Sequence, residues 1–260
     1  MKTRWIQTII FFIFLCSARA SFCSFESHEP ILLIPLEKSA SVYITKTLAS
    51  SLKRKIFIIS DENVYPRQDI VESRLKLLVK EKGVAREHLK ASSHNLDLLK
   101  KYNIKVLFHV RDLRQHVISL AHHQLDRKAY PDIVRLYQKR GCDISSWTLQ
   151  NFIEAIITYL PETVEIMKGW IKVHKEQKIP ILITSYEDFS DAGALFFDKI
   201  FHFYSIPPKA ISLCKLPKTS YYHFRKGTKN EWKTALSIEQ QKRIEKIIPD
   251  EFFDFFGWEK

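Results

Sequence analysis

Ile31-Leu32-Leu33-Ile34-Pro35-Leu36 followed by Glu37-Lys38-Ser39-Ala40-Ser41-Val42-Tyr43 is the stretch from which the architecture can be read. The first six residues form an apolar run with the length and composition of a buried strand, and the next few form a short polar turn. Apolar positions at helical spacing resume through Ile44 and Leu48. A strand, a turn and a helix in that order leave the unpaired N–H groups of the helix N-terminus facing out of the turn. With the positive end of the helix dipole and a lysine, they make a site for a phosphate or sulfate ester. The alternative is an ordinary strand-to-helix turn capped by Ser39 or Ser41, with Lys38 a solvated charge. A Walker A loop would read G-x-x-x-x-G-K-[ST], and neither glycine is present.

Outward from this unit, short apolar runs alternate with helical patterns. Lys55–Ile59 reads as a second strand, 69–82 as a helix closed by Gly83, and Lys105–Val110 as a central parallel strand. Helices are expected over 113–125 and, interrupted at Pro161, over roughly 145–177. Ile181–Thr184 reads as a strand, 192–203 as a helix and 225–233 as a basic loop; a last helix opens on Ser237 with Gln240 completing a capping box. This alternation predicts an α/β fold, three layers around a doubly wound, mainly parallel sheet with a P-loop-like strand-turn-helix. In such sheets ligands sit at the carboxyl ends of the strands, and Lys38, Arg111 and Tyr186 each follow a predicted strand.

Composition agrees with one globular domain. The chain has 260 residues, 45% of them hydrophobic, which suffices for a full core. Its net charge is +12; the first twenty residues supply Lys2, Arg4 and Arg19 and no acid, leaving +9 from 38 basic and 29 acidic residues. That balance suits an anionic ligand, an acidic polymer or a membrane surface. Residues 1–20 read as a signal peptide or short anchor: a basic start, an apolar run from Ile6 to Cys16, then Ala18-Arg19-Ala20 as a cleavage site. Residues 5–16 would carry any membrane contact, although the run is well short of the roughly 20 residues that span a bilayer. Residues 21–29 are expected as a linker and 30–260 as the domain. After removal of Cys16, the cysteines Cys23, Cys142 and Cys214 leave room for one disulfide and show no zinc-type spacing.

Four segments point to a family: Glu37–Tyr43, Val110–Gln115 with Ser119, Ser185-Tyr186-Glu187-Asp188, and Arg225-Lys226-Gly227 followed by Trp232-Lys233. In this order and at these distances, over about residues 30–245, they resemble the sulfotransferases that use phosphoadenosine phosphosulfate (PAPS). The resemblance implies a sulfuryl transfer to a hydroxyl or amine acceptor without a metal, and no nucleic-acid partner. It implies that Lys38 stabilises the departing bridging oxygen and that Ser39, Ala40, Ser41, Val42 and Tyr43 hold the 5′-phosphosulfate. Arg111, Ser119, Arg225, Lys226 and Gly227 would hold the 3′-phosphate, with Tyr186 near the adenine. Lysine and arginine suit these tasks because charge builds on the leaving oxygen and guanidinium forks pair with phosphate.

The acceptor must lose a proton as it attacks, which calls for a base, most often histidine. His88, 23 residues before Arg111, stands near the family's base position, with His94 in reserve. The sequence departs from the family pattern at Glu37 (usually proline), Ala40 (usually glycine) and Leu113 (usually proline). Glu37 is a third candidate base, by analogy with heparan-type relatives. His122 and His123, being adjacent, point apart on a helix and make no metal pair. Helices at about 125–176 are expected to meet the acceptor; the spacing of their Tyr130, Tyr137, Trp147 and Phe152 is more often that of core residues than of substrate contacts, which leaves a weak lean towards a small hydrophobic acceptor over a carbohydrate or lipid. The competing functions are a non-catalytic binder of sulfated or phosphorylated ligands and a P-loop kinase. The N-terminus predicts the secretory pathway, with the cytoplasm, where PAPS is made, as the alternative.

Overall fold

The computed structural model describes residues 29–61, 69–207 and 225–260. The export-signal reading, the membrane contact through residues 5–16, the cleavage of Cys16 and any role of Cys23 or Cys214 fall outside these residues. Cys142 has no disulfide partner among the described residues. No helix among the described residues is long and apolar enough to cross a membrane.

Five parallel strands form one sheet in the order β2-β3-β1-β4-β5: β1 Ile31–Pro35, β2 Ile56–Phe57, β3 Val84–Arg86, β4 Val106–Val110 and β5 Ile181–Ser185. Successive side chains of a strand face opposite ways, and the two cores follow from that. Leu32 and Ile34 of β1 and Phe108 of β4 face one core, while Ile31, Leu33 and Leu107 face the other. Near-continuous apolar strands are what a sheet covered on both faces demands.

The first core is covered by α2 (Glu72–Lys80), α3 (Ser93–Lys101), α4 (Leu113–Asp126), α5 (Pro131–Gln138) and α6 (Leu149–Lys175). The C-terminal helices α9 (Trp232–Ala235), α10 (Ile238–Ile247) and α11 (Asp250–Phe256) complete that layer. The second core is covered by α1 (Ser41–Ser51) and α8 (Gly193–Phe203), whose Phe196, Phe197, Ile200 and Phe201 are buried. A short helix, α7 (Tyr186–Asp191), joins β5 to α8. The three-layer α/β arrangement is the one expected from the sequence, and Ser237 and Gln240 do form a capping box on α10.

Several local expectations need correction. The second strand keeps only Ile56–Phe57, because it lies at the sheet edge with Ile56 half exposed. Strand β3 and helix α3 have no counterpart in the sequence reading, whereas α5 falls within the helical region expected at about 125–176. Helix α6 runs unbroken through Pro161. Proline costs a helix interior about 3 kcal/mol, but α6 buries ten apolar side chains on one face, from Phe152 to Val173. Each of these is worth roughly 1.5–3 kcal/mol, so packing wins, and the ring of Pro161 sits on the exposed face. The aromatic residues of this region take the core reading for the most part: Tyr137, Trp147 and Phe152 form an edge-to-face cluster in the core, and Tyr130 lies under Arg127 at the surface.

Candidate active site

The turn after β1 is held in a conformation that side chains normally avoid. Lys38 and Ala40 have φ of 60° and 64°, a left-handed geometry that costs a non-glycine residue roughly 1–2 kcal/mol. Ser39 is buried, and its Oγ donates to the Leu36 carbonyl at 2.7 Å. Ala40 caps α1 without a side-chain hydrogen bond, so no side-chain cap claims the first-turn amides of Ser41, Val42 and Tyr43.

Three consecutive carbonyls of this turn each receive a donor from the β4–α4 segment. His116 Nδ1 donates to Glu37 O at 2.9 Å, Arg111 Nη1 to Lys38 O at 2.7 Å and His109 Nε2 to Ser39 O at 2.7 Å. A carbonyl only accepts, so the nitrogen beside it must be protonated. The other nitrogen of His109 then accepts from the Thr184 hydroxyl at 2.9 Å. Burial lowers His109 to about 4 and also lowers His116, which keeps both rings neutral at pH 7. With its carbonyls pinned, the turn can offer N–H groups to an anion.

Arg111 joins this turn to two other segments. Its Nη2 donates to Thr228 O at 2.7 Å, and its guanidinium stacks 4.0 Å from the Tyr186 ring centroid. Tyr186 is placed by the capping box of Ser185 and Asp188 at the start of α7. Glu187 accepts from the Asp112 N–H at 3.3 Å, which fastens the ends of β4 and β5 to each other. In the basic loop, Arg225 makes a two-pronged ion pair with Glu231, and Lys226 Nζ reaches the same carboxylate at 2.8 Å. The hydrogen bond from Arg225, more than any other contact, holds Glu231 down at about 2. The Nε donors of Arg111 and Arg225 are buried with no acceptor among the described residues. Two unanswered cationic donors are the chemistry that a phosphate dianion satisfies.

Behind this cluster, Arg114 is buried, pairs with Asp112 at 2.7 Å and stacks 3.9 Å from Trp232, tying α9 to the start of α4. Lys38 lies on the cavity wall, and its ammonium is lowered to about 8. Burial is the main cause; Glu37 opposes it, and Arg111 and Arg225 add to it. His88 Nδ1 donates to the Pro35 carbonyl at 2.8 Å, which in the neutral ring leaves Nε2 as a proton acceptor. Strand β3 places His88, and its end is fixed by two buried contacts. Glu87 accepts from Ile59 N at 2.6 Å and Ser60 Oγ at 2.6 Å, and Trp170 Nε1 donates to Leu89 O at 2.8 Å.

These elements enclose a cavity of about 630 Å³. Lys38, Ala40, Ser41, Val42 and Tyr43 line it, as do His88, Arg111, Ser119 and Tyr186, and Arg225, Lys226 and Gly227 complete the set; Glu37 is on the same wall. Ser39 is not: its hydroxyl is turned inward to the backbone. His94 belongs elsewhere, since its Nε2 donates to Ile70 O at 3.0 Å beside α3. Sequence reasoning missed His109, His116, Thr228 and Glu231. The two histidines sit inside apolar patterns that carry no site signal, whereas Glu231, close behind Arg225 and Lys226, was within reach of a charge-pairing argument.

A profile of the family described as "Sulfotransferase domain" matches residues 3–256. No curated protein matches. The fold is similar to that of mouse sulfotransferase SULT7A1 complexed with PAP, at 17% identity and a TM-score of 0.59, covering 85% of this chain and 82% of that one. It is also similar to a retinol dehydratase in complex with retinol and PAP, at 15% identity and a TM-score of 0.55, covering 86% and 81%.

Proposed function

The chain belongs to the sulfotransferase-domain family, and on that footing we propose that it moves a sulfuryl group from PAPS to a hydroxyl or amine acceptor in the cavity beneath Lys38. One observation carries this reading. A single buried guanidinium, Arg111, holds the Lys38 carbonyl and the Thr228 carbonyl and stacks on Tyr186, so the four motif segments face one space. The PAP-bound fold relatives support the choice of donor.

The first-turn amides of α1 would receive the 5′-phosphosulfate, and Arg111, Ser119 and the 225–227 loop the 3′-phosphate. His88 Nε2 takes the acceptor proton as the acceptor oxygen or nitrogen bonds to sulfur. The bridging S–O bond breaks, and the Lys38 ammonium stabilises the charge left on the nucleotide oxygen. Glu37, on the same wall, is the competing base. We also assign residues 1–20 to export into a secretory compartment supplied with donor; N-terminal sequencing of the mature protein tests that.

The direct test is calorimetric titration with PAP and transfer of labelled sulfate from PAPS. Wild type should bind PAP, and Arg111→Lys and Ser119→Ala should weaken binding. Lys38→Ala and His88→Ala should abolish transfer, whereas Glu37→Gln should not. A folded wild-type protein that fails to bind PAP refutes the reading.

A further inference from the structure

The donor assignment uses only part of the cavity, and the remainder has a distinct character. On the α1–α8 face the wall is aromatic: Phe189 lies 5.7 Å from Tyr43 and 6.2 Å from Tyr186, with Phe197 beside it. Such rings suit a stacked base. On the opposite face the wall comes from β3, α4 and α5. It carries Arg86, His88, His123, Gln124 and Asp132, with Leu120 and Ile133 the apolar members among the described residues.

One of these polar groups is held by a buried partner and another by a surface ion pair. The buried Tyr137 hydroxyl donates to Gln124 Oε1 at 2.6 Å, and burial pushes the phenol up, so it keeps its proton. One lone pair of the carboxamide oxygen is thereby used, and the NH₂ can donate. Arg127 holds both oxygens of Asp132, at 3.2 and 3.0 Å, and the carboxylate keeps acceptor capacity. Of the residues lining this wall, Arg86 and Asp132 carry the formal charges, and these are of opposite sign. The result is a wall of donors and acceptors without net charge of its own.

We infer that the acceptor is a neutral, hydroxyl-rich molecule of the saccharide class. Its hydroxyls would pair with His123, Gln124 and Asp132, and its C–H face would pack on Leu120 and Ile133. An apolar phenol or sterol, its single hydroxyl committed to the reaction, would strip water from these groups and return no hydrogen bonds, which is how a polar site rejects an acceptor without matching groups. This inference rests on the donor reading above, since it is defined by the space that reading leaves.

The experiment measures PAP binding first, then labelled transfer to N-acetylglucosamine and lactose, to 4-nitrophenol and a hydroxysteroid, and to glucosamine 6-sulfate. The expected result is transfer to the neutral sugars. His123→Phe and Asp132→Asn should each raise the sugar KM at least about tenfold while PAP affinity stays within about twofold. Transfer confined to the phenol, the steroid or the sulfated sugar overturns the inference, as does a sugar KM unmoved by both variants. So does a protein that binds PAP and sulfates neither neutral sugar. Failure to bind PAP overturns the donor reading instead.

Discussion

Lys38 gives the sharpest test of the site because its charge state is poised near neutral pH. Burial lowers its ammonium to about 8 in the ligand-free protein. An anionic nucleotide beside it favours the charged form and draws the value back up. PAP binding must then take up protons: about 0.1 per nucleotide at pH 7, about 0.5 at pH 8 and about 0.9 at pH 9. The second ionisation of a phosphate lies near about 6, so the ligand does not blur the signal at pH 9. Calorimetry in two buffers of different ionisation enthalpy reads the uptake directly. Lys38→Met should eliminate it. The same variant should raise stability at pH 7, because the unfolded lysine binds its proton more tightly than the folded one. The burial cost is therefore fully present below pH 8 and is relieved as pH rises towards 10.5; removing it is worth roughly 3 kcal/mol at most. Uptake that is flat with pH, or that persists in Lys38→Met, would refute the placement of this lysine beside the anion.

Ala40→Gly exchanges a left-handed penalty of roughly 1–2 kcal/mol for a glycine entropy cost of roughly 0.5–1 kcal/mol, so denaturant melts should show a net gain of several tenths to about 1 kcal/mol. His109, held at about 4 by burial against 6.5 in the open chain, binds fewer protons folded than unfolded. Stability should therefore fall as pH drops from 6.5 to 4, by roughly 3 kcal/mol in all, and His109→Gln should flatten that profile. Trp170→Phe strands the buried Leu89 carbonyl next to His88, at a cost of about 1–3 kcal/mol. Its kcat should fall more than its affinity for PAP, and an unchanged kcat with lowered stability would show that His88 does not need this support.

The parts of the fold legible in the sequence are those where local pattern and tertiary demand coincide. β1 and β4 are buried on both faces, so their apolar runs stand out, and the turn between β1 and α1 shows its lysine and hydroxyls in plain order. β3 was illegible because Val84-Ala85-Arg86 is short and the carboxylate that anchors its end, Glu87, finds its donors at Ile59 and Ser60. Pro161 was misread because a local penalty is visible in sequence, whereas the long buried face that outweighs it is a property of the assembled helices. For the site, the cavity-lining Lys38, Arg111, Tyr186 and Arg225 followed from motif order. The groups behind it, His109 and His116, did not, since a histidine that holds a carbonyl looks like any other until the two chain segments meet.

Arg111 takes one carbonyl from residue 38 and another from residue 228, so the pocket is a product of complete folding. During synthesis the full set of groups around the cavity is assembled only after Thr228 has left the ribosome and docked. The nucleotide should therefore grip earlier stages weakly, and a fragment stopping short of that loop should bind it less tightly than the whole protein, however well its sheet has formed.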